Sequence, residues 1–213
     1  IGAADANNPE MSQVSAKTIV WSELPALKSQ AWVYQKTRRL LFVGSARYFP
    51  NRDAIDWLVH ELMPHVLRID PGIVLHLVGT AALYDGKTQN QKNVVFEGFV
   101  STDRLENIHK SVDMFVCPVI LGAGIKIKVL EAASWGVPVA ATVESLEGID
   151  FLDNAALQID RNPVEAAQKL ISRLNDSEGL SRMSLQSLVG LAQALAKRAR
   201  LDEIIQGCKR ECH

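Results

Sequence analysis

From Leu40 onward the chain alternates short apolar runs with segments whose apolar positions return every three or four residues. The first run, Leu40-Leu41-Phe42-Val43, ends at Gly44 and reads as a buried parallel strand. Asn51 after Pro50 is read as the N-cap of a helix whose apolar positions are Ile55, Leu58, Val59, Leu62 and Val66. Pro71-Gly72 marks a turn, and Ile73 to Val78 reads as a second strand closed by Gly79. A polar loop from Asp85 to Asn93 leads to a third strand, Val94 to Phe96, followed by Gly98. Ser101 is placed to cap a helix to about Ser111, with Leu105, Ile108 and Val112 at helical spacing and acids in its first turn. Met114 to Val119 is a fourth strand, followed by a helix from Ile125 to about Trp135. Residues 136–142 (Gly-Val-Pro-Val-Ala-Ala-Thr) form a fifth strand and Ala156 to Ile159 a weaker sixth. Pro163 opens a helix to Leu174, and residues 177–208 are amphipathic and helical, with Gly179 and Gly190 as expected breaks.

Strands and helices alternating at these lengths predict an α/β fold: a doubly wound, Rossmann-like, mostly parallel six-stranded sheet with helices on both faces. Residues 1–36 have weak periodicity and form a lead-in with one short element around Trp21 to Leu27. Residues 37–176 form the sheet domain and residues 177–213 a C-terminal helical tail. Ligands of such sheets sit beyond the strand C-termini, where strand order reverses. Gly44, Gly79, Gly98 and Gly122 each close or follow a predicted strand and so fall along that edge.

Composition narrows the field. The chain has 213 residues, 47% hydrophobic, enough for a sizeable core, and a net charge of −1 that gives no general drive toward nucleic acid or anionic membrane. No run of ~18 uncharged apolar residues is present to span a bilayer. The start lacks a signal-peptide pattern and does not begin with Met, as expected of a processed protein or an excised fragment. Cys117 is expected to be a buried thiol, and Cys208, Cys212 and His213 a reduced, solvated tail rather than a metal site. Scattered, odd cysteines point to a reducing, cytoplasmic setting. The basic cluster at Lys197, Arg198 and Arg200 reads first as a charged helix face. A peripheral contact at the inner face of a membrane is its alternative.

The densest chemistry lies at residues 122–131, Gly-Ala-Gly-Ile-Lys-Ile-Lys-Val-Leu-Glu. A strand, a glycine turn and a helix start with two lysines make an anion site. Free backbone N–H groups and the positive helix end point one way, and glycine lets a phosphate approach the main chain. Gly124, Lys128, Glu131 and Trp135 are predicted to share one helix face, whereas Lys126 points roughly 160° from Lys128. A cation followed one turn later by a carboxylate suits a nucleotide, the first for its diphosphate and the second for its ribose. The plain alternative for Glu131 is a surface carboxylate paired with Lys128. His109 is expected to be exposed, His76 to belong to the core, and Trp57 and Trp135 to be core or helix-packing residues. Neither histidine has an acid or nucleophile nearby in sequence.

Five segments carry a family resemblance: residues 40–51 (L-L-F-V-G-S and Y-F-P-N), 94–100 (V-V-F-E-G-F-V), 113–118 (D-M-F-V-C-P), 122–132 and 136–142. In order and spacing they resemble the C-terminal, donor-binding domain of retaining, family 4 type glycosyltransferases of the two-domain GT-B architecture. The resemblance implies one half of such an enzyme, moving a sugar from a UDP- or GDP-sugar to an acceptor hydroxyl, in polysaccharide or glycan biosynthesis. Glu131 would meet the ribose hydroxyls and Gly122, Ala123, Gly124 and Ile125 would offer N–H groups to the diphosphate. Lys126 or Lys128 would supply counter-charge, and Gly98, Phe99 and Val100 would hold the base. Gly44, Ser45 and Arg47 would line the loop after the first strand.

Two positions depart from the family pattern. The first of its two glutamates falls at Ala123, and the arginine after the first-strand glycine is Ser45, with Arg47, Arg52, Lys126 and Lys128 as nearby substitutes. No catalytic residue is assigned, no cofactor is expected, and no metal is required or suggested by an Asp-x-Asp pair. The resemblance also implies that a glycan or lipid-linked acceptor binds an N-terminal domain preceding residue 1, without which the chain would be inactive. Two alternatives stay open: a nucleotide-sugar epimerase of the same architecture, and a degenerate, non-catalytic nucleotide-binding module. A nicotinamide-dependent oxidoreductase fails, because the first strand ends Gly-Ser-Ala-Arg and the second ends Val78-Gly79-Thr80 without an acid.

Overall fold

The computed structural model describes residues 24–28, 32–79, 91 and 93–211. Its strands are β1 (Arg39–Val43), β2 (Val74–Val78), β3 (Val94–Gly98), β4 (Met114–Cys117), β5 (Val139–Ala141) and β6 (Leu157–Gln158). They form one sheet in the order β3-β2-β1-β4-β5-β6, with every pairing parallel. This is the doubly wound arrangement expected from the alternation of elements. Strand order reverses between β1 and β4, so the loops leaving those two strands flank the switch-point crevice.

The helices are α1 (Phe49–Asp56), α2 (Met63–Ile69), α3 (Thr102–Lys110), α4 (Ile127–Ser134), α5 (Val143–Leu146), α6 (Pro163–Leu174) and α7 (Ser177–Glu211). A wider π turn, Trp57–Leu62, joins α1 to α2 without a break, and Pro64, which has no N–H for an α-type bond, sits just beyond it. The predicted apolar face holds: Ile55, Leu58, Val59, Leu62 and Val66 are all fully buried. α6 begins and ends where predicted, with the Asn162 side chain accepting from the N–H groups of Val164 and Glu165. Ser101 caps α3 by accepting from the Arg104 N–H. The sheet and both helical layers share one core, with Leu40, Leu41, Phe42, Phe115 and Val116 inaccessible at its centre.

Several expectations are corrected. Asn51 is not an N-cap; α1 starts at Phe49, and Asn51 is a buried residue of its first turn. α4 starts at Ile127, two residues later than the expected Ile125, with Lys126 in the N-cap position. His109 is fully buried rather than exposed. Gly179 and Gly190 do not break the tail, which is a single helix. A side chain at Gly190 would meet Phe151 Cβ at 2.9 Å, so this glycine provides room for packing. The strands at 114–119 and 136–142 are shorter than read, four and three residues, because flanking prolines cannot extend a ladder. In the lead-in, Leu24 to Leu27 lies outside any regular element. Trp21 to Glu23, most of the 85–93 loop, Cys212 and His213 lie outside the described residues.

The segment from Trp32 to Arg38 nevertheless docks onto the N-terminal edge of the sheet. Trp32 donates from its indole to Val112 O at 2.6 Å and from its backbone to Trp135 O at 2.9 Å. The buried carboxylate of Asp113 accepts the backbone N–H groups of Thr37 at 3.1 Å and Arg38 at 2.7 Å. These two N–H groups replace the hydrogen bonds to water that the carboxylate loses on burial. These contacts leave the opposite, C-terminal edge of the strands open.

Candidate functional site

Two loops meet across the crevice between β1 and β4. After β1 the chain runs through Gly44, Ser45, Ala46, Arg47 and Tyr48 into α1. After β4 it runs through Pro118 to the exposed Gly122-Ala123-Gly124 turn and into α4. Gly122 has φ +85°, and a Cβ there would lie 2.9 Å from the Tyr48 hydroxyl, so the loops touch where only glycine fits. The base of the second loop is fixed by Val119 O, which accepts from Thr142 Oγ1 at 2.7 Å and Ser145 Oγ at 2.9 Å.

The two lysines have different surroundings. Lys126 folds back on its own turn, its ammonium donating to Gly122 O and Gly124 O at 2.8 Å each. Because it precedes α4, the helical angle predicted between it and Lys128 does not apply, and Gly124 likewise lies off the predicted helix face. Lys128 reaches under the loop after β1 and donates to Asn51 Oδ1, with its Nζ 5.1 Å from the Phe42 ring centroid. It is half-buried, and no carboxylate pairs with it among the described residues. Desolvation holds its pKa below the ordinary lysine range, against the opposing influence of the Cys117 thiol. Cys117 is a buried free thiol, pushed up by burial.

Glu131 stands one turn beyond Lys128, half-buried, and makes no ion pair with it among the described residues. Behind it, His109 stacks on Trp135 and bonds Leu105 O through Nδ1 at 2.9 Å, leaving Nε2 buried without a partner. Lys28 and Lys110 lie over Trp135, 5.0 and 5.4 Å from its centroid.

The remaining predicted residues line the same strand edge. Gly98, with φ +67°, accepts from the Gly79 N–H at 2.6 Å. Phe99 is 77% exposed, while Val100 packs on the core. Ser45 is half-buried, its hydroxyl accepting the Arg47 N–H at 3.3 Å, and the Arg47 side chain is exposed. Arg52 is turned to its own loop, donating to Ala46 O at 3.0 Å. His76, the other histidine, bonds Glu97 at 2.9 Å across β2 and β3 and lies in a separate cluster with Arg104. Asn51 is the site residue that sequence reading missed as such; the cap-like signal at its position concealed a contact 77 residues away. Among the described residues no cluster of acids, histidines and cysteines could hold a metal, and no helix is long and apolar enough to cross a membrane.

Comparison with known proteins bears on the fold and the family. A protein of the Klebsiella pneumoniae cps region, described as uncharacterized and of 44.6 kDa, is 25% identical over 160 residues, 70% of this chain and 40% of that protein. The crystal structure of a Staphylococcus aureus TarM point mutant with fondaparinux, α-GlcNAc-glycerol and UDP superposes with a TM-score of 0.63. It is 16% identical, over 84% of this chain and 37% of that one. The C-terminal domain of a Francisella tularensis group 1 family glycosyl transferase, LpcC, gives a TM-score of 0.58 at 15% identity, covering 84% of this chain and 92% of that domain. The chain thus spans well under half of its full-length relatives and nearly all of an isolated C-terminal domain. Residues 37–176 match the family described as glycosyl transferases group 1. The chain belongs to the group 1 glycosyltransferases, and its sheet is the Rossmann-like C-terminal unit of a GT-B fold.

Proposed function

We propose that this chain is the donor-binding half of a glycosyltransferase that moves a sugar from UDP- or GDP-sugar to an acceptor hydroxyl. The observation that carries the reading is Lys128. Its half-buried ammonium lies at the strand switch point, held by a neutral amide and a ring face, with no carboxylate counter-ion among the described residues. A desolvated cation left unpaired is costly, and an anionic ligand removes the cost. The adjoining glycine turn supplies main-chain N–H groups for the same anion, and Glu131, one turn further, suits ribose hydroxyls.

In this reading the diphosphate of the donor meets Lys128 and the N–H groups of Gly122 to Ile125. Charge growing on the leaving diphosphate during transfer is stabilised there, so the reading asks for no metal ion. Phe99 and Val100 beside Gly98 pack against the base. UDP in the TarM complex supports a uridine donor. The cps-region relative supports glycan synthesis as the setting. The retaining, family 4 type assignment rests on the order and spacing of the five motifs. The acceptor, glycan or lipid-linked, is assigned to an N-terminal half like that of the longer relatives. A cytoplasmic site of action, with or without contact at the inner membrane face, fits the free thiol of Cys117.

One observation favours a second reading. Ala123, exposed at the tip of the turn, stands where the family places a glutamate near the transferred sugar, as in a module that binds without transferring. Titration calorimetry of the chain with UDP and GDP tests the site. Binding by the wild type, weakened by about 1–3 kcal/mol in Lys128→Ala and in Glu131→Ala, supports it. Unchanged affinity in both variants removes these residues from the site. Transfer by the full-length protein, against isomerisation of donor alone or neither, separates transferase, epimerase and binding module.

A further inference from the structure

We propose that Asn51 is a positioning residue for Lys128: its amide ties the loop after β1 to the ammonium on α4 and fixes where the charge of a diphosphate is met. The inference rests on the donor-site reading above.

Asn51 is only 7% exposed, although it lies in the first turn of a helix that starts at the open edge of the sheet. A buried amide must use both of its ends, and this one does. Nδ2 donates to Ser45 O at 3.1 Å, and Oδ1 accepts from Lys128 Nζ. The two partners fix the orientation of the amide, because a carbonyl requires the donor end and an ammonium the acceptor end. Gly44 leaves the space: a Cβ there would lie 2.9 Å from Asn51 Cγ and 3.0 Å from Nδ2. The Ser45 carbonyl, which also accepts the Tyr48 N–H at 3.2 Å, and the space left at Gly44 therefore set the Asn51 amide against one lysine 77 residues later in the chain.

The amide is chemically suited to this task in a way its neighbours in size are not. An aspartate would hold Lys128 more strongly but would cancel its charge and face the Ser45 carbonyl with a second acceptor. A lysine would repel it, and a leucine would leave the ammonium without its amide partner. Asparagine accepts one N–H of the ammonium while leaving the positive charge intact for an anion. The site thus keeps a pre-placed cation, which reduces the ordering cost when a diphosphate arrives.

The test is titration of the 213-residue chain with UDP and uridine, and with GDP and guanosine, for the wild type, Asn51→Asp, Asn51→Ala and Lys128→Ala. The quantity read is the ratio of diphosphate to nucleoside affinity. It is expected to fall about tenfold in Asn51→Asp and Lys128→Ala and about threefold in Asn51→Ala, with nucleoside affinity unchanged. In lysine Cε NMR, Asn51→Asp is expected to raise the titration of Lys128. A wild-type ratio in Asn51→Asp, with Lys128→Ala lowered, overturns the role of Asn51 alone. An equal fall of nucleoside and diphosphate affinity in the Asn51 variants marks a merely structural residue and overturns it too. No diphosphate binding by the wild type, or an unaltered ratio in Lys128→Ala, overturns the donor-site reading itself.

Discussion

The imidazole of His109 lies nearly parallel to the indole of Trp135, with centroids 6.0 Å apart and 16° between the planes. Burial pulls the His109 pKa below the usual histidine range, outweighing the upward pull of the Leu105 carbonyl and of Glu131, while Lys28 adds to the lowering. The folded state therefore holds this imidazole neutral, and below about pH 6.5 the unfolded chain takes up the proton more readily. Its contribution to stability is complete above that pH and is lost as pH falls. His109→Phe retains the ring stack and removes the proton. Thermal melts from pH 8 to pH 5 are expected to fall less steeply for that variant than for the wild type, and parallel curves would contradict the assignment.

Lys128 separates stability from binding. Replacement by methionine removes a desolvated charge and retains most of the apolar stem but leaves Asn51 Oδ1 unpaired, so the two effects oppose and folding stability in urea is expected to change by less than about 1 kcal/mol. The depressed lysine pKa has a sign consequence as well. Stability of the wild type rises as pH climbs toward the unfolded lysine value near 10.4, and Lys128→Met lacks that rise. A clear loss of stability at neutral pH would mean that the ammonium is structural.

At Gly122, substitution by alanine imposes a positive φ on an L side chain and drives its Cβ into Tyr48 Oη. A loss of about 1–2 kcal/mol is expected from the backbone alone. Tyr48→Phe added to Gly122→Ala recovers the part due to collision and no more. Denaturant midpoints for the two variants and their combination measure both parts.

Asp113 holds the segment entering β1 through two backbone N–H groups, those of Thr37 and Arg38, the latter with φ +58°. Asp113→Ala leaves those donors unpaired next to the core and is expected to cost about 3 kcal/mol. Asp113→Asn retains one acceptor oxygen and is expected to cost less. Equal losses in the two variants would show that packing, and not the carboxylate, matters there.

What the chain disclosed to sequence reading was what neighbours in sequence determine. α6 was legible at both ends because Asn162 caps it, Pro163 fits its first turn and its apolar positions repeat. The first four strands were legible as apolar runs stopped by glycine or proline. What escaped depends on partners distant in the chain. His109 is buried by Trp135, which comes 26 residues later, and the surrounding charged residues gave no sign of it. Asn51 has the residue type of a cap, yet its buried position and Lys128 use its amide differently. α4 starts late because Lys126 turns back to the carbonyls of Gly122 and Gly124, an arrangement that no periodicity records. Gly190 resembles a helix breaker until Phe151 is seen against it.

The seam of the sheet has its own consequence. β1 and β2 are matched through five residue pairs, but β1 and β4 through only two, Leu40 with Met114 and Leu41 with Phe115. Within the sheet the two wings are thus joined by few backbone bonds, and a molecule gripping both crevice loops would bolt one wing to the other. Amide exchange slowed by such a bolt should be concentrated along that join, leaving the distant edges at β3 and β6 to breathe as before.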